Sequence, residues 1–351
     1  MKTFQARLVW AVVLGCGFLG LAHAGAVMRQ QTAAKVYRGS IGGSHIQMRL
    51  NILGNNVSGT YSYDSVGEDL KLTGHLDEQG RLELAEFDAK GKQTGKFVCK
   101  RLDDPVDSEC TWSRPDGTRE AYLTLDEQHI AFTSGLQVVP KTIANRKSGV
   151  NVSYPQITGG PSALNVGAGS FNRRIRALVQ KAIKEFEPQP APGRNSFETN
   201  YKVLLGIDDL ISIEMSEYSD SGGAHPNTGF WSITYDLSGN KELKLDDLFK
   251  PDSDYKTAIA KFVVTDIDRR ANAIEQTDAR SEGRKPNKRD EPIVTIDQLS
   301  EISGWALTPR GFMVYFDFPH VIAVFDRTFI PYSVVIEHLK PNGPAARFHK
   351  P

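Results

Sequence analysis

Leu210-Ile-Ser-Ile-Glu-Met-Ser-Glu-Tyr218 and Phe230-Trp-Ser-Ile-Thr-Tyr-Asp-Leu237 decide how the second half of this chain is read. Both alternate apolar with polar residues, the period of a strand with two unlike faces. Between them stands Ser219-Asp-Ser-Gly-Gly-Ala-His-Pro-Asn-Thr-Gly229, rich in residues that accept positive φ or bring backbones close. The stretch therefore predicts two antiparallel strands joined by a polar, glycine-rich loop. A histidine, hydroxyl side chains and free amides sit in that loop, and aromatics bound it. Tyr218, Ser221, Gly222, Gly223, His225, Pro226, Asn227 and Phe230 are accordingly the candidate binding residues. The alternation puts Phe230, Ser232 and Thr234 on one face and Trp231, Ile233 and Tyr235 on the other. The face with Ile233 is expected to be the core, leaving Phe230 exposed beside the loop as a contact aromatic would be.

Working outward, Phe171, Ile175, Leu178, Val179, Ala182, Ile183 and Phe186 recur at three- and four-residue steps and predict a helix, with Ser170 as N-cap and Pro188 and Pro190 as its stop. Glu198–Leu205 reads as a strand that turns through Gly206–Asp209 into Leu210. A second helix gathers Tyr255, Ile259, Phe262, Val263 and Ile267 on one face. Residues 268–292, dense in charge, read as an exposed insertion. Trp305–Thr308 and Gly311–Phe318 read as strands, followed by the run Val321–Phe325, then Phe329–Ser333 and a short terminal helix. This half is expected to be an α+β domain over 152–340, with helices covering an antiparallel sheet.

The first half has a different texture. From Val36 to about Leu125, short alternating runs are broken every 8–12 residues by turn chemistry such as Asp77–Gly80, Asp88–Gly91 and Arg-Pro-Asp-Gly117. That pattern predicts an antiparallel β-meander over 36–130, of about seven or eight strands, curled into a barrel or half-barrel to hide its edges. Its inward residues are large enough to fill a small barrel. Residues 126–150 lose the alternation, which places a boundary there.

The N-terminus carries Lys2 and Arg7, an apolar run from Leu8 to Leu21, and Ala22-His-Ala24. A positive flank, a short apolar core and a small-x-small site read as a signal peptide over 1–24. Lipidation at Cys16 is the competing reading of the same segment. The apolar run is too short to span a membrane comfortably. Export to the periplasm or outside the cell follows, and with it an oxidising compartment. Cleavage leaves Cys99 and Cys110, an even pair flanking a polar loop, for which a disulfide is expected.

Length and charge narrow the function classes. The 351 residues contain 42 basic and 42 acidic side chains, a balance that gives no electrostatic case for nucleic acid or an anionic membrane. The histidines show no metal-ligand spacing, so neither a metal nor another cofactor is expected. No nucleophile elbow or phosphate loop occurs. Asp208, Asp209, Asp246 and Asp247 could suit calcium, but paired aspartates at turns and helix starts also cap and complement dipoles.

With these residues laid out, the second half resembles the extracytoplasmic domain of unknown function shared by the lysozyme-sensing anti-sigma factor RsiV and the N-terminal part of the peptidoglycan deacetylase PdaC. The carriers are Tyr154-Pro-Gln-Ile157, Asn165, Gly222-Gly-Ala-His-Pro-Asn227, Tyr235-Asp-Leu237, Leu245-Asp-Asp-Leu-Phe249, Gly311-Phe-Met-Val-Tyr-Phe316 and Ile330-Pro-Tyr-Ser333. The resemblance implies recognition of a protein such as lysozyme, or an accessory role at the wall. It does not extend to the meander. The expectation is an exported envelope protein that binds a lysozyme-like protein or a peptidoglycan fragment without catalysis. The alternative is a hydrolase acting on wall glycan or peptide through the 218–235 loop.

Overall fold

The computed structural model describes residues 34–100, 102, 110–186, 195–223, 225–299 and 301–348. The signal peptide expected over 1–24, with Cys16, and the expected helix stops Pro188 and Pro190 lie outside them. Eight strands come first: β1 (Lys35–Ile41), β2 (Ser44–Leu53), β3 (Asn56–Tyr63), β4 (Leu70–Leu76), β5 (Leu82–Phe87), β6 (Gln93–Cys99), β7 (Cys110–Ser113) and β8 (Ala121–Gln128). Each pairs antiparallel with the next, and β8 returns to β1, so the meander is a closed barrel. The turns work as the sequence indicates. Asp77 and Asp88 accept backbone N–H groups two and four residues on, and Gly80 and Gly91 take φ of 82° and 78°.

Side chains fill the barrel, as eight strands of this size allow. Tyr37, Ile46, Met48, Leu50, Tyr61, Leu84 and Phe97 are its buried core. One carboxylate joins them: Glu86 accepts from Tyr61 Oη at 2.7 Å, Trp112 Nε1 at 2.7 Å and Thr94 Oγ1 at 2.6 Å. Three donors meet the desolvation that burying this group costs. Gly95, opposite Glu86 on β6, leaves the room; a Cβ there would lie 2.4 Å from the Trp112 indole nitrogen. Cys99 and Cys110 face each other on β6 and β7 and form the expected disulfide, their Cα atoms 4.0 Å apart.

Residues 126–150 are not a structureless connection. After β8 comes β9 (Ile130–Ala131), which pairs parallel with Gly206 and Ile207, and then β10 (Leu136–Asn145). Only Leu136 and Val138 of β10 are buried, so its outer half carries no alternation to read. The main sheet runs β10, β11 (Val150–Gly159), β12 (Asn195–Ile207), β13 (Leu210–Ser221), β14 (Asn227–Asp236) and β15 (Lys241–Glu242). Helix α1 (Asn165–Glu185) covers one face with Phe171, Ile175 and Val179 fully buried. It starts five residues before Ser170, and no side chain caps it. Asn172 on α1 bonds both the N–H and the carbonyl of Ile157, at 2.7 and 2.8 Å, tying helix to sheet.

The opposite face is also covered. Strands β16 (Gly304–Thr308), β17 (Gly311–Tyr315) and β18 (Arg327–Pro331) form a second sheet. Ala306 and Tyr315 face the main sheet, packing with Leu204 and half-buried Phe230. Trp305, Leu307, Phe312, Val314 and Ile330 face α2 (Tyr255–Ser281). The order of layers is helix, sheet, sheet, helix, so the α+β class holds with two sheets where one was expected. Helix α2 runs through most of the charged stretch expected to be an insertion, which reduces the exposed connection to 282–292. Its second half buries only alanines, Ala271 and Ala279, and apolar counting misses so narrow a stripe. The Gly311 strand ends at Tyr315, and His320–Phe325 is a short 3-10 helix.

Barrel and main sheet meet at a charged seam. Arg38 on β1, 1% exposed, makes two bonds to Asp64, at 2.6 and 3.1 Å. Its Nη2 also donates to Ser153 Oγ at 3.1 Å and Asn200 Oδ1 at 3.0 Å, and the guanidinium lies 4.0 Å from the Tyr201 ring centroid. Ser153 Oγ in turn donates to Asp64 at 2.8 Å. Nearby, Gln128 accepts from the Val203 N–H, and His129 exchanges backbone bonds with Val203 and Gly206.

Candidate functional site

The β13–β14 ladder continues to the pair Ser219↔Asn227 before the chain reverses. Asp220 Oδ1 accepts from the Gly222 N–H at 2.8 Å, and Gly222 takes φ of 81°, which L side chains rarely adopt. Gly222, Gly223, His225, Pro226 and Asn227 are all exposed, with Ser221 half-buried below them. Tyr218 is 37% exposed on the same arm. His225 Nδ1 donates to the Pro226 carbonyl at 3.1 Å. Its ring stacks on His320, with centroids 4.1 Å apart and planes 9° from parallel. His320 begins the 3-10 segment on which Val321 is 87% and Val324 70% exposed. That contact makes one surface of the hairpin tip and this apolar segment.

Seven of the eight residues singled out in the sequence thus gather at the tip. Phe230 does not. Its ring is half-buried, 6.4 Å from Tyr315, with the Arg327 guanidinium 4.3 Å from its centroid. The reason is the second sheet, which covers the face expected to be open. Trp231, Ile233 and Tyr235 do pack under α1. Behind Phe230, buried Glu214 accepts from Tyr315 Oη at 2.8 Å and Arg327 Nη1 at 2.9 Å. Burial and that carboxylate push the Tyr315 phenol well above its usual value.

Reading the sequence did not place His320, Val321 and Val324 at the site, because two turns of 3-10 helix are too short to show a periodicity. Glu217 was missed as well. It lines a depression of about 380 Å³ beside the hairpin, with Glu185, Phe186, Phe197 and Ser219. Desolvation, and then the nearby Glu185, raise its carboxyl above the usual range.

The paired aspartates serve local roles. Asp209 accepts from Arg347 at 2.9 Å, and Asp208 from Thr133 at 2.7 Å. Asp247 bonds Lys241 at 3.0 Å and the Lys244 N–H at 2.8 Å, and Asp246 accepts from Tyr255. Among the described residues no group of three metal-ligating side chains occurs.

A larger cleft, about 1230 Å³, opens along the flank of the hairpin. Ser232, Ile233 and Thr234 of β14 line it, with Trp305, whose carbonyl accepts from Ser232 Oγ at 2.8 Å, and with Phe316 and Phe318. Tyr255 and Ile259 at the start of α2 also line it, together with residues 296–299.

Residues 246–326 match the family described as protein of unknown function (DUF3298). Peptidoglycan-N-acetylmuramic acid deacetylase PdaC of Bacillus subtilis (strain 168) is 28% identical over 109 residues, 31% of this chain. The match spans 23% of that relative's length. The resemblance read from the motifs of the second half is consistent with both findings. Two crystal structures of DUF3298 family proteins are also similar. One, from Pseudomonas aeruginosa PAO1, is 21% identical with a TM-score of 0.39, over 59% of this chain and 94% of that one. The other, from Bacteroides fragilis nctc 9343, is 13% identical with a TM-score of 0.37, over 61% of this chain and 96% of its own.

Proposed function

We propose that this is an exported cell-envelope protein that binds a partner without covalent chemistry, and that the β13–β14 tip is its contact surface. The first partners to test are a lysozyme-like protein and a peptidoglycan fragment. One observation carries the reading: an exposed, glycine-bent tip held by a long ladder and continuous with an open apolar segment. Ordered backbone beside exposed apolar side chains is the build of a recognition surface. The disulfide suits an oxidising compartment, as export requires. A relative whose name describes action on peptidoglycan supports a place at the wall.

The tip also offers a clean probe. A Cβ on Gly223 would meet nothing within 4 Å, so Gly223→Val adds bulk to the surface without disturbing the fold. At Gly222 the positive φ would add strain to any such change. In titration calorimetry of the disulfide-intact chain with hen lysozyme and with purified muropeptides, one of the two should bind at micromolar concentration. Gly223→Val and His225→Ala should each weaken that binding by roughly tenfold. Absence of binding to both, or equal binding by the two variants, would overturn the proposal. Release of products from purified sacculi, lost with His225→Ala, would replace it with the hydrolase reading.

A further inference from the structure

The outer edge of β14 has open backbone positions. Its inner edge pairs with β13 along the whole strand, but on the outer side only β15 follows it, at Tyr235↔Glu242 and Asp236↔Lys241. Thr234 marks which groups point outward, since its carbonyl accepts from the Leu243 N–H at 2.8 Å. In an antiparallel strand the N–H and C=O of alternate residues point the same way. Thr228, Phe230 and Ser232 therefore aim their backbone pairs away from β13, and no ladder among the described residues meets them. The chain leaves this edge after Leu243, and the 1230 Å³ cleft opens there, with Ser232–Thr234 in its wall.

The cleft also has a charge. Five carboxylates line it against two lysines, Lys244 and Lys256. Two of the five are engaged, Glu242 by Arg174 at 2.7 Å and Asp246 by Tyr255. Asp297, Glu301 and Asp317 have no ion pair among the described residues. Trp305, Phe316 and Phe318 supply apolar and aromatic surface between them.

We infer that this cleft binds an extended cationic peptide, which adds to the main sheet as a strand beside β14. Backbone bonds to Thr228, Phe230 and Ser232 give the docking its register. The span from Thr228 to Ser232 is about 14 Å at ~3.4 Å per residue, enough to engage a segment of five or six residues. Lysine or arginine side chains of the bound strand meet Asp297, Glu301 and Asp317, while the alternate residues lie on the aromatic wall. The site adjoins the hairpin tip at Thr228 and does not rest on the function proposed for the tip.

Calorimetry of the full chain with an eight-residue peptide of alternating lysine and valine tests this. N-methylation of one alternate set of its amides should abolish binding, while methylation of the other set leaves it, because only one set faces β14. The double variant Glu301→Lys with Asp317→Lys should weaken binding by roughly tenfold or more. Hydrogen exchange should slow at Phe230 and Ser232 when peptide is present. Four outcomes would overturn the inference: no saturable binding up to about 1 mM, equal binding by both methylated peptides, unchanged exchange at those amides, or displacement of the peptide by an N-acetylglucosamine hexamer.

Discussion

Arg38 shows how one buried charge is tolerated. Its Nη1 and Nη2 donate to Asp64, Ser153 and Asn200 while Nε finds no acceptor among the described residues, and its positive charge lies over Tyr201. Breaking such a pair by removing one partner costs about 3–5 kcal/mol, because the other charge stays buried. Asp64→Ala should therefore lower stability by about that amount in urea unfolding, and Asp64→Asn by less. His45 sits beside the pair with neither ring nitrogen bonded. Burial, and then the charge of Arg38, lower its pKa, while Asp64 and Glu198 pull the other way more weakly. A folded pKa below the unfolded value of about 6.5 means that the unfolded chain takes the proton first. The resulting stability is complete above that pH and is lost as pH falls through it toward the folded value. Thermal midpoints at about pH 5 and pH 7.5 should differ less for His45→Leu than for the unmodified chain. An undiminished difference would assign the acid sensitivity elsewhere, His129 being the next group with a burial-lowered pKa.

At the scale of elements, the disulfide lends itself to measurement. It closes a short loop between β6 and β7, and the chain-entropy model gives about 2–3 kcal/mol for a loop of this size. Replacing both cysteines with serine should lower the unfolding free energy by about that amount, with the far-ultraviolet spectrum unchanged. The barrel strands were legible because turn residues and period-two alternation agree at every step. The hairpin was legible for the same reason. Three elements were not. β10 is exposed along half its length, α2 beyond Ile267 hides its buried face in alanines, and His320–Phe325 is too short for any period. The last of these supplies His320, Val321 and Val324, so the apolar part of the candidate surface lay where alternation had stopped. Phe230 was misplaced by a different omission. A strand pattern tells which residues share a face but not whether a second sheet covers the other one.

On the scale of the whole molecule, barrel and main sheet share bonds that a flexible connection would not provide. Arg38, Lys202 with Asp126, and Gln128 with Val203 all cross the seam. Residues 33–351 form one compact unit. Calorimetric unfolding of the intact chain should accordingly show a single transition, and Arg38→Ala should separate it into two. Two transitions in the unmodified chain would mean that the seam transmits little.

The same seam sets an order of assembly. Ser153 and Asn200 follow Arg38 by 115 and 162 residues, while all eight barrel strands are finished by Gln128. A chain growing from its N-terminus therefore completes the barrel before the last ligands of that cation have been made. Until β11 and β12 arrive, water must stand in for them, and the barrel surface around Arg38 stays wet. Maturation of the first half is thus tied to synthesis of the second, and a truncated product ending after the barrel would keep a hydrated, loosened patch for proteases to find.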